Sequence, residues 1–359
     1  MMKSIKSVLA AGVVLALSGC GSDNSSSPNP GPGPSPEPQM GTFSLGVSDA
    51  PVDDAKRVVL AFNDVILIPQ DGQNGGDPIH IELGNDGQPQ QIDLLEFQGS
   101  AMEVIVSEGE LEVGDYRMCL YAKDGLPNGS EESSFVEKTD GIVVPLKVNS
   151  KGACHGYKPD TDGQGRMSFD KGDQMVTINT GQNAFVVEFD LRKALTDPKG
   201  QDWMFIKPNA VQLINIAGVG NISGELALTQ RDACEADMVS LVGADTFAHA
   251  AYLYANERDR STMGDIVGEA GFPEGSELVE PVAVANIVQV ENQTDELIYR
   301  YEFGFIGEGE YSIGYTCTAN ADLPETHETA EQGFLIYQHY VPVTVVVGET
   351  TEQDLDPIL

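Results

Sequence analysis

Apolar and polar residues alternate in short segments along most of the chain after residue 40, and Gly, Asp, Asn and Pro separate these segments. Alternation with a period of two predicts half-buried β-strands, and regularly spaced turn residues are typical of antiparallel sandwiches. A first series of predicted strands occupies residues 43–47, 58–62, 65–68, 102–106, 116–121, 142–148, 175–178 and 185–189. A second series occupies residues 222–228, 249–254, 282–290, 297–305, 311–317 and 341–347.

Two series of strands predict two domains with a boundary near residues 217–220. Helical periodicity is scarce, and only residues 92–97 and 191–195 have the pattern of a turn or two of helix. The sequence therefore predicts an all-β protein with two antiparallel, Greek-key β-sandwich domains, at residues 41–217 and 218–359. Both series contain Gly, an acidic residue and Tyr in succession, at 114–116 and 309–311. Common ancestry and independent hairpins with the same turn chemistry both explain this repetition.

The first 20 residues have the layout of an export signal. Lys3 and Lys6 precede an apolar run at residues 8–17, which is too short to span a bilayer. The run ends in Leu-Ser-Gly-Cys, which resembles a bacterial lipobox. This ending predicts a lipoprotein signal peptide at residues 1–19 and a lipidated Cys20 that carries palmitate, with Gly21 implying the outer membrane. The alternative is an ordinary signal peptide in which the Cys occurs by chance.

The segment after the lipobox has the composition of a linker. Residues 21–39 read GSDNSSSPNPGPGPSPEPQ and contain no apolar side chain that could pack into a core. We therefore predict a disordered tether at residues 20–40, which the prolines stiffen toward an extended conformation. At about 3 Å per residue, such a tether would hold the folded part tens of ångströms from the bilayer.

The charge of the chain narrows the class of partner. The 359 residues include 20 Lys and Arg against 56 Asp and Glu, so the net charge is −36. Nucleic-acid binding needs clustered cationic side chains, and we therefore expect no nucleic-acid partner. The same acidity disfavours adsorption to anionic headgroups, so membrane attachment is expected through the lipid on Cys20. The hydrophobic fraction of 41% is sufficient for globular cores.

Four cysteines remain when Cys20 is assigned to the lipid. Cys119 and Cys154 lie in the first series of strands, whereas Cys234 and Cys317 lie in the second. An even number of cysteines in an exported chain predicts disulfides, and four cysteines allow three pairings. One disulfide within each domain is the simplest. A zinc site is the alternative, although no pair has the CxxC spacing that such sites favour.

One family resembles this sequence over its first half. Residues 41–53 read GTFSLGVSDAPVD, an alternating strand that runs into Asp-Ala-Pro. Together with segments at 58–69, 92–95, 111–116, 187–191 and 205–208, this opening resembles the bacterial lipoproteins that contain domain of unknown function 4382. The resemblance covers residues 41–215 and implies a β-sandwich on an anchored lipoprotein, without any assigned reaction or catalytic residue. Residues 218–359 resemble the carboxypeptidase-regulatory-like, transthyretin-like sandwich that often accompanies such domains.

The clearest candidate for a metal site is an acidic segment near residue 160. Asp160 and Asp162 are separated by one residue, a Gly stands at the sixth place, and further acids follow. This pattern is similar to calcium loops, in which carboxylates and carbonyls surround a hard cation. The hypothesis is a Ca²⁺ site with four ligands, namely Asp160, Asp162, Gln164 and Asp170. Because the twelfth place is Lys rather than Glu, a polar hairpin tip is the alternative.

Asp49 is a second residue with two interpretations. It opens an Asp-Ala-Pro segment at the end of the first predicted strand, where an Asp commonly bonds to its neighbouring backbone in an Asx turn. The alternative is a ligand-binding or metal-binding carboxylate. We favour the turn, because the local sequence explains it without a ligand.

The sequence contains no recognisable catalytic motif. It has no HExxH, Walker A segment or nucleophile elbow, and its five histidines are scattered. We therefore predict no catalytic residue and no cofactor other than the Ca²⁺ of the acidic loop. The predicted function is a non-catalytic binding, adhesion or envelope-structural module that meets a protein or glycan partner. The alternative is an envelope hydrolase that acts on glycan or peptide.

Overall fold

The computed structural model describes residues 38–50, 55–70, 76–127, 132–159, 163–170, 174–242, 247–268, 271–292, 294–324 and 326–358. Within these ranges the chain is mostly β-strand, and Pro38–Leu359 form one compact unit. The predicted signal peptide, Cys20 and most of the tether lie outside the described residues. No helix in the described part is long and apolar enough to cross a membrane.

Fourteen of the strands enclose the first hydrophobic core, and we call this part the first sandwich. They are β1 (Met40–Ala50), β2 (Ala55–Pro69), β3 (Ile79–Glu82), β4 (Gln90–Asp93), β5 (Glu103–Glu112), β6 (Gly114–Lys123), β7 (Phe135–Lys138), β8 (Val143–Val148), β9 (Gln164–Phe169), β10 (Val176–Ile178), β11 (Gly181–Asp190), β12 (Leu195–Thr196), β13 (Met204–Ile206) and β14 (Val211–Asn215). One sheet has the order β14-β11-β1-β5, and the other has the order β10-β6-β2-β7-β8-β13-β12. In the second sheet, β3 and β4 also pair with β2, and β9 pairs with β6. Leu45 from one sheet and Leu60 from the other are fully buried in one apolar cluster.

Eight further strands form what we call the second sandwich. They are β15 (Val219–Glu225), β16 (Ala250–Ala255), β17 (Ala283–Asn286), β18 (Val288–Glu291), β19 (Leu297–Gly307), β20 (Gly309–Thr316), β21 (Gln338–Val345) and β22 (Thr350–Glu352). The sheet β18-β19-β15-β22 faces the sheet β17-β16-β20-β21 across a core that contains Ile222 and Ile313. The chain therefore passes from the sheets of the first sandwich to those of the second between residues 215 and 219. The division into two independent domains stays a prediction.

The all-β prediction is confirmed, but three pairs of strands are parallel rather than antiparallel. These are β1 with β11, β8 with β13, and β15 with β22. The pairing of β1 with β11 extends from Gly41↔Gly181 to Ala50↔Asp190. A parallel pair requires a crossover connection, and here the chain builds the opposite sheet before it returns. Strand direction depends on this long-range path, which hydrophobic alternation does not encode.

The two predicted short helical segments are present, and the structure adds one long helix. Helix α1 spans Leu191–Ala194, and the 3₁₀ turns span Leu94–Glu96, Pro208–Ala210, Ile216–Gly218, Arg260–Thr262, Ala319–Ala321 and Ala330–Gln332. Helix α2 spans Leu228–Val242 and was not predicted. It buries only Gln230, Cys234 and Met238, one residue per turn. Such a narrow apolar stripe gives a weak helical period, which explains why the pattern missed this helix.

The structure pairs Cys119 with Cys154 and Cys234 with Cys317, each at disulfide-bonding distance. This matches the simplest of the three predicted pairings. His155 lies close to the first pair, but two sulfurs joined to each other do not provide thiolates for a metal. The zinc alternative is therefore not supported by the geometry.

The two Gly-acid-Tyr segments have the same local geometry. The Tyr116 hydroxyl donates to the carbonyl oxygen of Glu112 at 2.7 Å, and the Tyr311 hydroxyl donates to that of Gly307 at 2.9 Å. In both cases the acceptor lies four residues before the tyrosine, across the hairpin turn. Each tyrosine therefore fastens the start of its strand to the end of the preceding strand.

The outer face of the β1–β11 sheet packs against the second sandwich. A small apolar cluster at this junction includes Val186, Val219 and Phe305. The backbone N–H of Ser100 donates to Glu302 Oε1 at 3.3 Å across the same junction. Gly304 marks the closest backbone approach, because a Cβ atom there would lie 2.0 Å from the carbonyl oxygen of Gly99. Only glycine fits this position without a backbone shift.

Candidate functional site

A polar cleft of about 600 Å³ opens beside β2 and β3 of the first sandwich. Its wall is formed by the middle of β2, by β3, by the turn that follows β3, and by a short segment after Cys154. The lining side chains include Asn63, Asp64, His80, Glu82, Asp86 and Tyr157. This volume is in the range of small-molecule sites.

An irregularity in β2 places Asp64 at the cleft. The sequence predicts a turn at residues 63–64, but the structure has one continuous strand whose register with β6 shifts between Phe62 and Asp64. Such a β-bulge redirects the side chains beside it. Asp64 is 5% exposed, although it lies in a strand whose other buried side chains are apolar. The bulge is the local reason why a carboxylate reaches the cleft wall.

Asp64, His80 and Tyr157 form a chain of hydrogen bonds in this wall. His80 Nε2 lies 2.6 Å from Asp64 Oδ1, and His80 Nδ1 lies 3.2 Å from the Tyr157 hydroxyl. If the carboxylate accepts from Nε2, then Nδ1 of a neutral imidazole accepts from the tyrosine. Gln164 Nε2 donates to the second carboxylate oxygen at 3.1 Å. The wall is therefore held by donors from three separate chain segments.

Two tight turns position the flanks of the cleft. Asp86 and Gly87 connect the bridged residues 85 and 88 and have φ values of 51° and 78°. His155 and Gly156 connect the bridged pair Cys154 and Tyr157 and have φ values of 45° and 99°. Positive φ at both central residues is the requirement of a type I′ turn, for which Asp-Gly is a favoured sequence. The disulfide from Cys154 to β6 fixes the second turn, and with it Tyr157.

Two buried acceptors near the bulge have no donor among the described residues. They are the side-chain oxygens Asn63 Oδ1 and Gln164 Oε1. Buried polar atoms are nearly always hydrogen-bonded, and an unpaired acceptor costs about 1–3 kcal/mol. Asn63 lines the cleft, but its Oδ1 atom is itself buried from solvent.

The structure does not bring the described members of the predicted calcium set together. Asp160 and Asp162 lie outside the described residues. Gln164 begins β9 and contacts Asp64, whereas Asp170 follows the end of β9 and lies 3.1 Å from His155 Nε2. Six residues of strand separate them by about 20 Å. Gln164 and Asp170 therefore do not bind the same ion, and a Ca²⁺ site at Asp160 and Asp162 stays a prediction.

A second group of carboxylates lies under the outer face of the second sandwich. Asp265, Asp322 and Glu328 are buried, and one oxygen of each lies within 4.8 Å of the others. The Tyr252 hydroxyl donates to Asp322 at 2.6 Å, and the Leu323 N–H donates to Glu328 at 3.0 Å. Burial raises the pKa of Asp322 to about 7. These donors make the group a hydrogen-bonded network that ties two loops to β16.

The histidines form carboxylate pairs that sequence reasoning did not find. Four of the five lie within 3.1 Å of an Asp or Glu oxygen, in the pairs His80–Asp64, His155–Asp170, His249–Glu235 and His327–Asp265. The partners are 14 to 62 residues apart in sequence. No local spacing signals such pairs. A signal existed only for Asp64, as a charged residue inside an otherwise apolar strand.

Comparison with known proteins finds a family model that covers the residues of the cleft. Residues 40–208 match the family model described as domain of unknown function (DUF4382). This match confirms the DUF4382 part of the resemblance seen in the first half of the sequence, and the matched residues include Asp64, His80 and Tyr157 of the cleft. The lipoprotein part of the resemblance stays a prediction. No curated protein sequence matches the chain. The resemblance of residues 218–359 to a carboxypeptidase-regulatory-like sandwich stays a prediction.

Several crystal structures have a distant likeness to this chain. A candidate cell adhesion protein from Bacteroides fragilis is 10% identical, with 89% of this chain and 92% of that chain covered and a TM-score of 0.20. A candidate cell adhesion protein from Bacteroides eggerthii is 13% identical, with 89% and 98% covered and a TM-score of 0.20. A candidate adhesin from Bacteroides ovatus is 8% identical, with 82% and 81% covered and a TM-score of 0.17. At these TM-scores the likeness carries no functional argument.

Proposed function

We propose that this protein is a non-catalytic binding module of the outer membrane, whose first sandwich binds a neutral, hydroxyl-rich ligand such as a glycan. The observation that carries the proposal is the polar cleft built around the Asp64–His80–Tyr157 chain. Lipid attachment at Cys20 and the predicted tether would present this cleft away from the membrane surface.

The chemistry of the cleft favours sugar hydroxyls. Hydroxyl groups both donate and accept, and the wall offers exposed carboxylate acceptors at Glu82 and Asp86. The Tyr157 ring contributes an aromatic surface at the rim and is in edge contact with the His80 ring at a centroid distance of 5.9 Å. Three carboxylates (Asp64, Glu82 and Asp86) and one lysine (Lys158) line the cleft, and this excess of negative charge would repel an anionic ligand. A neutral carbohydrate satisfies these conditions better than a phosphate or an acidic peptide.

The test is a binding screen with the full-length chain, followed by calorimetry. The screen uses a glycan array that includes peptidoglycan and lipopolysaccharide fragments. We expect His80→Ala to weaken binding of any captured glycan by at least about tenfold, because it removes the group that connects Asp64 to Tyr157. His339→Ala, on β21 in the second sandwich, is the matched control and should bind normally. Equal affinities for the two variants would contradict the proposal.

The envelope hydrolase remains the second candidate, because Asp64, Glu82 and Asp86 place three carboxylates in one cleft. Glycosidases use a pair of such groups as acid and base or nucleophile. Incubating the captured glycan with the protein separates the two functions. A shortened product that Glu82→Gln abolishes would establish the hydrolase, whereas recovery of intact glycan supports the binding module.

The anchoring part of the proposal predicts the behaviour of a Cys20 variant. Cys20→Ala should abolish incorporation of labelled palmitate and release the protein from the outer-membrane fraction, because the acidic chain has little affinity for lipid headgroups. The measurement is fractionation of cells grown with labelled palmitate. Cys119→Ala serves as the control for loss of a cysteine. Continued membrane attachment of the Cys20→Ala protein would contradict lipid anchoring.

A further inference from the structure

One outer sheet face of the first sandwich carries aromatic side chains where solvent favours polar ones. In β7, β8 and β13, the residues that face the first core are Val136, Leu146, Val148, Met204 and Ile206. Successive side chains of a strand point to opposite faces, so the neighbours of these residues point outward. The outward set, all partly exposed, is Phe135 on β7, Pro145 and Lys147 on β8, Phe205 on β13 and Trp203 just before β13.

Strand pairing places these outward side chains next to one another. Phe135 is paired with Pro145 across β7 and β8, and Lys147 is paired with Phe205 across β8 and β13. The ring centroids of Trp203 and Phe205 are 5.9 Å apart, and Lys147 Nζ lies 4.5 Å from the centroid of the Trp203 ring. We call these five residues the aromatic platform.

The polar groups of the platform leave donors for an outside molecule. Within the described part of the chain, no carboxylate oxygen lies within 4.0 Å of the Lys147 amine, which instead makes a cation–π contact with Trp203. The indole Nε1 of Trp203 donates to Gln201 Oε1 at 3.1 Å. The Lys147 ammonium has three N–H donors, and a partner with acceptor oxygens would use them.

The platform lies on the same outer face as the wall of the cleft. Asp64 is paired with Tyr121, which belongs to an apolar cluster separate from the first core. Val59, five residues earlier on β2, is paired with Phe135 of the platform. Five residues of strand extend over about 17 Å, so a ligand that contacts both places is longer than one sugar ring.

We propose that the aromatic platform is a second subsite for the glycan of the cleft, so that the first sandwich binds an extended, neutral oligosaccharide. This inference rests on the proposed glycan-binding function. The C–H faces of pyranose rings are apolar and pack on aromatic rings, while the Lys147 amine donates to sugar oxygens. A protein or a lipid surface would also cover such rings. The shared face with a polar cleft suited to hydroxyl groups favours the glycan.

The fluorescence of the full-length protein tests the platform directly, because Trp203 is its only tryptophan. The probes are two neutral hexasaccharides, chitohexaose and maltohexaose, and the matching disaccharides, chitobiose and maltose. We expect one hexasaccharide to shift the emission of Trp203 and to bind at least about tenfold more tightly than its disaccharide, because only the longer chain reaches both subsites.

Calorimetry of variants separates the two subsites. Trp203→Ala should lower the affinity for the hexasaccharide to that for the disaccharide, whereas His80→Ala should weaken the binding of both. Phe272→Ala is the matched control, because it removes a partly exposed aromatic ring of the second sandwich that contacts His327. It should bind as the wild type does. Phe205→Ala tests the same subsite if the circular dichroism of Trp203→Ala shows misfolding.

Four outcomes overturn the proposal. If the hexasaccharide binds and depends on His80, but neither Trp203→Ala nor Phe205→Ala weakens it, the platform is not a subsite and the glycan-binding function stands. An equal loss of disaccharide and hexasaccharide affinity in Trp203→Ala would show a structural role. An emission shift with phosphatidylglycerol and phosphatidylethanolamine vesicles, but not with a hexasaccharide, would assign the face to a lipid surface. Absence of binding to all four saccharides also overturns the platform, and the glycan array then decides the glycan-binding function separately.

Discussion

Replacing Cys234 and Cys317 by alanine should lower the free energy of unfolding by about 4.5 kcal/mol. The two cysteines are 83 residues apart, so their link removes a large loop-closure entropy from the unfolded chain. The disulfide also anchors α2, which buries only one residue per turn and otherwise contacts the second sandwich through the exposed or half-buried polar side chains of Arg231, Glu235 and Asp237. We therefore expect α2 to detach before the sheets unfold.

The matched variant removes the other disulfide. Cys119 and Cys154 are 35 residues apart, and Cys119→Ala/Cys154→Ala should cost about 4 kcal/mol. The measurement is denaturant unfolding of each full-length double variant under oxidising conditions, with hydrogen exchange of α2 as a local probe. Unchanged midpoints, or an α2 protected as in the wild type, would contradict this account of the second sandwich.

The two disulfides should differ in their effect on the cleft. Cys154 begins the tight turn that places Tyr157, so loss of its disulfide should weaken glycan binding as well as stability. Cys234 and Cys317 lie in the second sandwich, so their loss should leave the affinity of the folded protein unchanged. This difference separates positioning of the cleft from general destabilisation.

The sequence predicts most of the longer strands, because these carry their own alternating pattern, but it misses others, among them β3, β9 and β14. It also predicts the disulfide pairing, because the four cysteines are divided evenly between the two series of strands. What alternation cannot supply is strand direction and register, as the parallel pairing of β1 with β11 shows. These properties depend on the path of the chain between two strands that are far apart in sequence.

The cleft could not be predicted because its parts come together only in the folded chain. Asp64 enters through a bulge, His80 through the next strand, and Tyr157 through a turn held by a disulfide. The visible sequence signal was the run of acids near residue 160, yet Gln164 and Asp170 of that set lie at opposite ends of β9. Local acid content is therefore a poor guide to a site in a chain with 56 Asp and Glu residues.

Without divalent cations, the protein should become less stable as the pH rises from about 6.5 to about 8. Burial raises the pKa of Glu188 from its ordinary 4.5 to about 8, and burial raises that of Asp322 from 3.8 to about 7. At a pH between the ordinary pKa and the raised pKa of these carboxyl groups, the folded chain binds more protons than the unfolded chain. The free energy of unfolding therefore falls as the pH rises through this range.

The window from pH 6.5 to pH 8 tests the prediction most directly. Burial lowers the pKa of His249 below its ordinary 6.5, and this acts in the opposite direction at lower pH. Above pH 6.5, one pH unit of full proton difference corresponds to about 1.4 kcal/mol, so we expect a loss of about 2 kcal/mol by pH 8. The measurement is urea unfolding of the EDTA-treated full-length protein at closely spaced pH values. Constant or rising stability across this window would contradict the prediction.

Two variants show which group causes which part of the slope. Glu188→Gln should flatten the upper part of the profile, near pH 8, whereas Asp322→Asn should flatten the part near pH 7. Glu188 is influenced by Asp190 and Lys193, and Asp322 by Arg192 and Asp265, so each variant alters a separate set of charges.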